Sequence, residues 1–80
     1  MGSKANEVRH ERAGKYLRRM RKKAGLTQVQ LVQQLKMYHK DISVQGISAY
    51  ERGIAFPKPP LLRALTKILG INEDELLKRY

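Results

Sequence analysis

Apolar residues at helical spacing, divided into short segments by helix-capping and helix-ending residues, constrain this chain more than any other sequence feature. From about Asn6 to Ala24 the apolar positions step by three and four residues, the period of one face of an amphipathic helix. Gly14 lies inside this segment, where glycine lowers helix stability mildly. Gly25 follows as an ending signal, because glycine adopts the left-handed conformation after a helix without steric cost. A first helix is therefore predicted.

A second helix is predicted to begin after Thr27. Thr27 and Gln30 have the spacing of a capping box, in which each side chain accepts a hydrogen bond from the other residue's backbone N–H. The end of this helix is open, because residues 36–40 either continue it by one turn or form a longer connection.

A short third helix is predicted to end near Arg52, with Gly53 after it. Asp41 and Ser43 are both candidate N-caps for it.

Two more helices are predicted towards the C-terminus. A proline-rich loop forbids a helix until Pro60, which suits a first helical turn, and Gly70 ends the fourth helix. Asn72 and Glu75 match a second capping box that begins a short fifth helix. The pattern predicts an all-α fold of five helices without a strand, with residues 1–5 as a disordered tail and residues 6–80 as a single domain.

Charge and composition limit the function. The 80 residues include 17 Lys and Arg against 7 Asp and Glu, which gives a net charge of +10, and residues 1–26 carry +7 of it. Such a basic chain favours a polyanionic partner, most often nucleic acid, over charge that only keeps the protein in solution. The absence of Cys excludes disulfides and Cys-ligated zinc. No apolar run is long enough for a membrane span, and no secretory signal is present, so a cytoplasmic protein is expected.

The sequence predicts no enzyme, no metal and no cofactor. His10 and His39 lack the spacing of metal ligands. The acids at residues 73–75 are explained by a helix cap, and no glycine-rich phosphate loop is present.

The helix-ending and helix-starting motifs carry a family resemblance. The residues that carry it are, in chain order, Gly25-Leu26-Thr27-Gln28, then Leu31 and Leu35, then Ile47-Ser48-Ala49-Tyr50-Glu51-Arg52-Gly53. Together they resemble the helix-turn-helix domain of phage repressors and Cro proteins, the family of Xre-like bacterial regulators. The similarity covers residues 17–77. It implies a five-helix repressor-like bundle whose third helix enters the DNA major groove while the second braces it. The implied function is sequence-specific binding of double-stranded DNA by a prokaryotic or phage transcriptional regulator, a repressor, associated with the nucleoid.

The resemblance also implies a set of DNA-contacting residues. The recognition helix would span about residues 43–51, with Gln45 as the best base reader, because its amide can pair with two atoms of adenine; the alternative is a solvated surface amide. The positions expected to face base edges are Ser43, Val44, Gln45, Ser48 and Ala49. The positions expected to contact phosphates are Gln28, Lys40, Arg52 and Lys58.

Two structural roles follow from the same resemblance. Arg21 and Glu51 are expected to form an ion pair that fixes the third helix to the first and shields an acid that would otherwise repel DNA. Family members often pair through their C-terminal helices, so a homodimer is expected to use Leu76, Leu77 or Tyr80.

The chain departs from the family pattern in two places. The distance from Leu35 to Ser48 is about five residues longer than usual, which makes the connection between the second and third helices longer. Residues 36–40 in that connection either reach phosphates or, through Met37 and Tyr38, pack on the core. Gly46 lies inside the recognition helix and would permit close approach either to the second helix or to DNA.

Two other functions stay open beside a sequence-specific regulator. One is a protein-interaction module on the same fold, of the coactivator or antitoxin-like kind, because one fold hosts several functions. The other is a non-specific nucleic-acid binder that uses the basic first helix and loses affinity steeply with salt. The basic side chains of that helix either add phosphate contacts or form a solvated face.

Overall fold

The computed structural model describes residues 8–80, and this part of the chain forms five α-helices and no strand. The helices are α1 (Glu11–Lys23), α2 (Gln28–Leu35), α3 (Val44–Glu51), α4 (Pro59–Leu69) and α5 (Glu73–Leu77). The predicted all-α, five-helix fold is confirmed, and so is the lengthened connection between α2 and α3. The predicted tail at residues 1–5 lies outside the described residues. None of the helices within residues 8–80 has the length and apolar character needed to cross a membrane.

Several helix ends are where local chemistry predicts them. Thr27 Oγ1 accepts from the Gln30 N–H at 3.1 Å while Gln30 Oε1 accepts from the Thr27 N–H at 2.9 Å, so the capping box is complete. Ser43, and not Asp41, caps α3, since its Oγ accepts from the Gly46 N–H at 3.2 Å. Each of these bonds satisfies a first-turn N–H that has no partner within its own helix.

The first helix begins later than its apolar period predicts. Residue 6, the predicted start, lies outside the described residues, but Val8, Arg9 and His10 are described and are not helical. The N–H groups of Arg9 and His10 both donate to the Gly53 carbonyl, at 3.0 and 2.9 Å. The segment before α1 is therefore tied to the residue that follows α3, because these long-range bonds replace a further helical turn.

The second predicted capping box is only half formed. Asn72 Oδ1 accepts from the Asp74 N–H at 2.8 Å, as a cap should. The Glu75 carboxylate does not reach back to Asn72 but pairs with Lys78 at 3.2 Å and with Arg79 at 3.4 Å. The hydrogen bond from Lys78, followed by that from Arg79, lowers the pKa of Glu75.

The core consists of two clusters that share α4. One lies between α2, α3 and α4 and contains Leu31, Val32, Leu35, Ile42, Ile47, Leu61, Ala64 and Leu65. The other lies between α1, α4 and α5 and contains Ala13, Tyr16, Leu17, Leu62 and Leu76. Tyr50 and Leu69 pack against both clusters. Leu76 is fully buried, so the expectation that it contributes to a dimer surface is wrong.

Gly14 has a packing role that its helix propensity does not indicate. A Cβ atom at this position would lie 2.5 Å from the Glu51 carbonyl oxygen and 2.6 Å from that of Tyr50. Real Cβ atoms do not approach backbone so closely. The absence of a side chain at Gly14 thus lets α1 lie directly against the C-terminal end of α3, and the small cost in helix stability brings a close contact between two helices.

The connection between α2 and α3 consists of a turn at residues 36–38, a second turn at residues 40–41 and a short return to the core. α2 ends at Leu35, whose carbonyl accepts from the N–H groups of Tyr38 and His39, both at 2.8 Å. Met37 is 83% exposed and Tyr38 is 56% exposed, so the alternative in which they pack on the core is wrong. Ile42 instead anchors this segment in the core, at 6% exposure.

Candidate nucleic-acid interface

The exposed face of α3 carries the residues that the sequence assigns to base contacts. Ile47 points into the core and is 2% exposed, whereas Ser43 and Gln45 are exposed. Val44, Ser48 and Ala49 are half-buried. Part of the Val44 side chain packs against the first core cluster, which leaves less of it for an external contact.

Gln45 and Ser43 both keep donor capacity. The Gln45 amide makes no hydrogen bond to any of residues 8–80, so its two N–H donors and its carbonyl are available. Ser43 accepts a capping bond through Oγ, and a hydroxyl that accepts one bond still has its own proton to donate. Capping by Ser43 therefore does not prevent it from contacting a ligand.

A buried ion pair joins α1 to the end of α3. Arg21 Nε donates to Glu51 Oε2 at 2.6 Å and a terminal nitrogen donates to Oε1 at 3.0 Å, the two-point geometry of an Arg–carboxylate fork. The other terminal nitrogen donates to the Leu26 carbonyl at 2.8 Å. The two side chains are only 9% and 5% exposed. The hydrogen bond to Glu51 and its charge raise the pKa of Arg21 against the opposing effect of burial, so the guanidinium stays charged.

Gln28 extends this pair into a network of three helices. It is the first residue of α2, and its Nε2 donates to Glu51 Oε1 at 3.1 Å. A role in holding Glu51 is not apparent from the sequence, in which the two residues are 23 positions apart. One amide N–H and the amide oxygen of Gln28 remain at the positive N-terminal end of α2, where anions are favoured.

Arg18 lies beside the residues assigned to DNA contacts, although the sequence placed it only among the basic side chains of the first helix that either add phosphate contacts or form a solvated face. An open depression of about 390 Å³ is lined by Arg18, Arg21, Gln28, Ser48, Glu51 and Arg52. Arg18 and Arg52 are exposed, and neither makes a hydrogen bond or ion pair with residues 8–80. Because Arg21 is neutralised by Glu51, Arg18 and Arg52 give this depression its positive charge. The spacing of three residues between Arg18 and Arg21 is a signal that could have placed them on one helix face.

Two of the residues assigned to phosphate contacts lie apart from this depression. Lys58 is exposed at the N-cap of α4 and lines a separate depression together with His39. Lys40 is exposed in the connection between α2 and α3. The structure thus brings Gln28, Ser48 and Arg52 together but leaves Lys40 and Lys58 outside that group.

Gly46 does not mark a close approach between α2 and α3. A Cβ atom there would meet only Ile42 Cδ1 at 3.5 Å and Ser43 Oγ at 3.6 Å, which are ordinary contacts. The alternative in which Gly46 permits close packing on α2 is therefore wrong, whereas a close approach to DNA stays a prediction. Within residues 8–80 no three His, Asp or Glu side chains are grouped so that they could hold a metal ion.

Comparison with known proteins agrees with this arrangement of helices. The family model described as a helix-turn-helix domain matches residues 12–78, which is most of the chain and includes nearly all of the five helices. No match was found among curated proteins or among solved structures. Because the family model covers well over half of the sequence, the chain belongs to the helix-turn-helix domain family, a DNA-binding fold of transcription regulation that is typically non-enzymatic.

Proposed function

We propose that this protein is a sequence-specific regulator of transcription that binds double-stranded DNA, of the phage repressor and Cro or Xre-like type, and that it acts as a repressor. It works at the nucleoid in the prokaryotic cytoplasm, by binding and not by catalysis. The observation that carries the proposal is the exposed polar face of α3 beside Arg18 and Arg52, with the only acid of α3, Glu51, neutralised by Arg21.

Charge at this surface favours a DNA backbone. An unpaired carboxylate about 4 Å from a phosphate would cost about 4 kcal/mol near a protein surface, where the effective dielectric constant is about 20. The fork from Arg21 and the amide of Gln28 offset the charge of Glu51. Arg18 and Arg52 then face outwards without acid partners among the described residues, so each is available for one phosphate.

Base reading is proposed to depend chiefly on Gln45. Its free amide can donate to adenine N7 and accept from the adenine N6 amino group. A bidentate contact of this kind discriminates against a wrong base by about 1–3 kcal/mol. Ser48 and Ala49, which are half-buried on the same helix, allow smaller contacts beside it.

The test is selection from a pool of random duplexes at about 150 mM salt, where diffuse charge attraction is screened beyond about 8 Å. We expect a defined motif, and we expect Gln45→Ala to relax one position of it. Gln33→Ala removes an exposed glutamine from α2 and serves as the control, with no change in the motif. A retained pool that stays random, or a Gln45→Ala motif identical to the wild-type one, would contradict the proposal.

The selected sequences also test a homodimer. With Leu76 buried, Leu77 at 44% exposure and Tyr80 at 66% exposure are the remaining apolar candidates for its surface. A dimer predicts two inverted half-sites with their centres about 10 base pairs apart. Recovery of isolated half-sites would show that the protein binds as a monomer.

A protein-interaction module is the second candidate function. Met37 and Tyr38 project from the turn after α2, and methionine and tyrosine are enriched at protein interfaces. This function predicts a random pool in the duplex selection. It also predicts that Met37→Ser and Tyr38→Ser weaken binding to a protein partner without changing DNA affinity.

A further inference from the structure

A second basic groove lies where the two ends of the described chain meet. It has a volume of about 270 Å³, and its charged and aromatic lining comprises Arg9, Glu11, Arg12, Lys78, Arg79 and Tyr80. It contains none of the residues that line the depression beside α3. The C-terminal side of the groove is held on α1, since the Arg79 guanidinium lies 4.1 Å from the centre of the Tyr16 ring.

The groove is positive because Glu11, the one acid among its described lining residues, is already paired, and so is Glu75, which contacts two of its cations from α5. Glu11 Oε1 pairs with Lys15 at 3.0 Å, and Glu75 is shared between Lys78 and Arg79. The Arg12 side chain is exposed and makes no hydrogen bond or ion pair with the rest of residues 8–80. Lys78 keeps 70% of its side chain exposed despite its ion pair. Arg12 and Lys78 are therefore the cations of the groove most available to an external anion.

The groove adjoins the end of the recognition helix. Gly53 directly follows Arg52, and its carbonyl accepts from the N–H groups of Arg9 and His10 at 3.0 and 2.9 Å. A Cβ atom at Gly53 would lie 2.8 Å from the backbone of His10 and Glu11, which shows how closely the two segments meet. The backbone thus places Arg52 next to the segment that carries Arg9, at the boundary between the depression beside α3 and this groove.

We propose that this groove is a second phosphate-binding surface, which contacts the backbone of duplex DNA beyond the segment bound by α2 and α3. The inference rests on the proposed function and extends it to residues outside the helix-turn-helix. Continuity with Arg52 favours a DNA backbone over an acidic protein, because a duplex presents phosphates along its whole length to both surfaces at once. The groove adds affinity without base discrimination, since phosphate contacts are independent of sequence.

The experiment compares two single variants of equal charge change. Arg12→Gln removes a cation from the groove, and Lys23→Gln removes one from the other end of α1, beside Leu69 and Gly70. Each is titrated with the duplex selected by the wild-type protein, flanked by about one extra helical turn on each side, between 50 and 250 mM salt. Removing the cation of one phosphate contact should make the negative slope of log K against log salt shallower by about 0.9. If wild type and variant bind equally at 1 M salt, this difference in slope corresponds to about 8-fold weaker binding by Arg12→Gln at 0.1 M salt.

Two further measurements sharpen the outcome. The double variant Arg12→Gln/Lys78→Gln should bind about 60-fold more weakly than wild type at 0.1 M salt if both cations contact phosphates. On a duplex trimmed to the selected motif, wild type and variants should differ much less. The selected motif itself should not change, because Gln45 is untouched.

The failure of this inference differs from the failure of the proposed function. If the wild type selects a motif but Arg12→Gln keeps the wild-type slope, or changes it no more than Lys23→Gln does, the groove makes no specific DNA contact and only this inference is overturned. That result would leave the groove to an acidic protein surface. If the wild type binds no duplex with any preference, the proposed function fails first and the inference fails with it. Circular dichroism should show wild-type helix content in Arg12→Gln and Lys23→Gln, since neither side chain has a partner within residues 8–80. The double variant loses only the exposed ion pair between Lys78 and Glu75, which contributes little to stability.

Discussion

Gly14→Ala is the substitution that tests the packing of α1 on α3 most directly. In an isolated helix it should stabilise, because alanine is favoured over glycine by about 1 kcal/mol. In this fold the new Cβ would lie 2.5 Å from the Glu51 carbonyl oxygen, whereas ordinary contacts begin at 3.4 Å. Relief of the clash requires the two helices to separate by about 0.9 Å, the difference between these two distances.

That separation has a cost that the structure allows us to work out. If α1 moves as a rigid body, the hydrogen bonds from Arg9 and His10 to Gly53, now 3.0 and 2.9 Å, lengthen to about 3.8 Å or more and are lost. Overpacking costs about 1–3 kcal/mol, and each lost hydrogen bond costs about 0.5–1.5 kcal/mol. After the gain of about 1 kcal/mol in helix propensity, we expect Gly14→Ala to lower the free energy of unfolding by about 3 kcal/mol, within a range of about 1–5 kcal/mol.

Urea unfolding followed by circular dichroism measures this change. With a slope of about 1 kcal/mol per molar urea for a protein of this size, the midpoint should fall by about 3 M. Gly46→Ala is the matched control, because its Cβ meets only side-chain atoms at 3.5 Å or beyond, and it should raise stability by about 0.5–1 kcal/mol. If Gly14→Ala unfolds at or above the wild-type midpoint, the close contact between α1 and α3 is wrong.

Three further predictions concern the ion pair, a left-handed glycine and acid stability. Glu51→Leu leaves the Arg21 guanidinium buried without its carboxylate, so it should lower the free energy of unfolding in urea by about 3 kcal/mol. Arg21→Met/Glu51→Leu removes both charges and should cost clearly less. Equal losses in the two variants would refute the reasoning about a buried charge. Gly25→Ala should lower the free energy of unfolding by only about 1 kcal/mol, because Gly25 has φ +76° but no atom within 4 Å of the added Cβ. Gly53→Ala should lower it by more than twice as much, because its Cβ also meets backbone at 2.8 Å. Equal shifts of the thermal midpoint would contradict this. The pKa of Glu75 is lowered in the folded protein, so its ion pairs stabilise the fold above the unfolded pKa, and this stabilisation is lost as the pH falls through the folded pKa. The stability of Glu75→Gln should therefore fall less steeply with acid than that of the wild type. Parallel curves would disprove the contribution.

The helix ends were predictable from residues a few positions apart. Thr27 and Gln30 cap each other across one turn, Ser43 caps α3, and Gly70 takes φ +66° after α4. The partners in each motif are separated by four residues or fewer, so the chain needs no other element to form it. Glu75 is the exception, because Lys78 and Arg79 compete for its carboxylate with the cap that the pattern predicted.

The identity of the interface residues depended on contacts that no local pattern contains. Helical period and charge place Arg18 on a basic helix, but only the packing of α1 beside α3 puts it in one depression with Arg52 and Gln28. Arg21 and Glu51 are 30 residues apart, and their pairing is expected from family resemblance and not from spacing.

Local chemistry thus set the number of helices, most of their ends and the charge, because those properties depend on neighbours within a turn or on composition alone. Packing decided where α1 begins, why Gly14 has no side chain, and that Leu76 is buried and not available to a partner. The contacts of Gly14 are with residues more than 30 positions away along the chain. Their energies exist only when the helices have met, because close-packed interiors transmit a misfit of less than 1 Å to every neighbour.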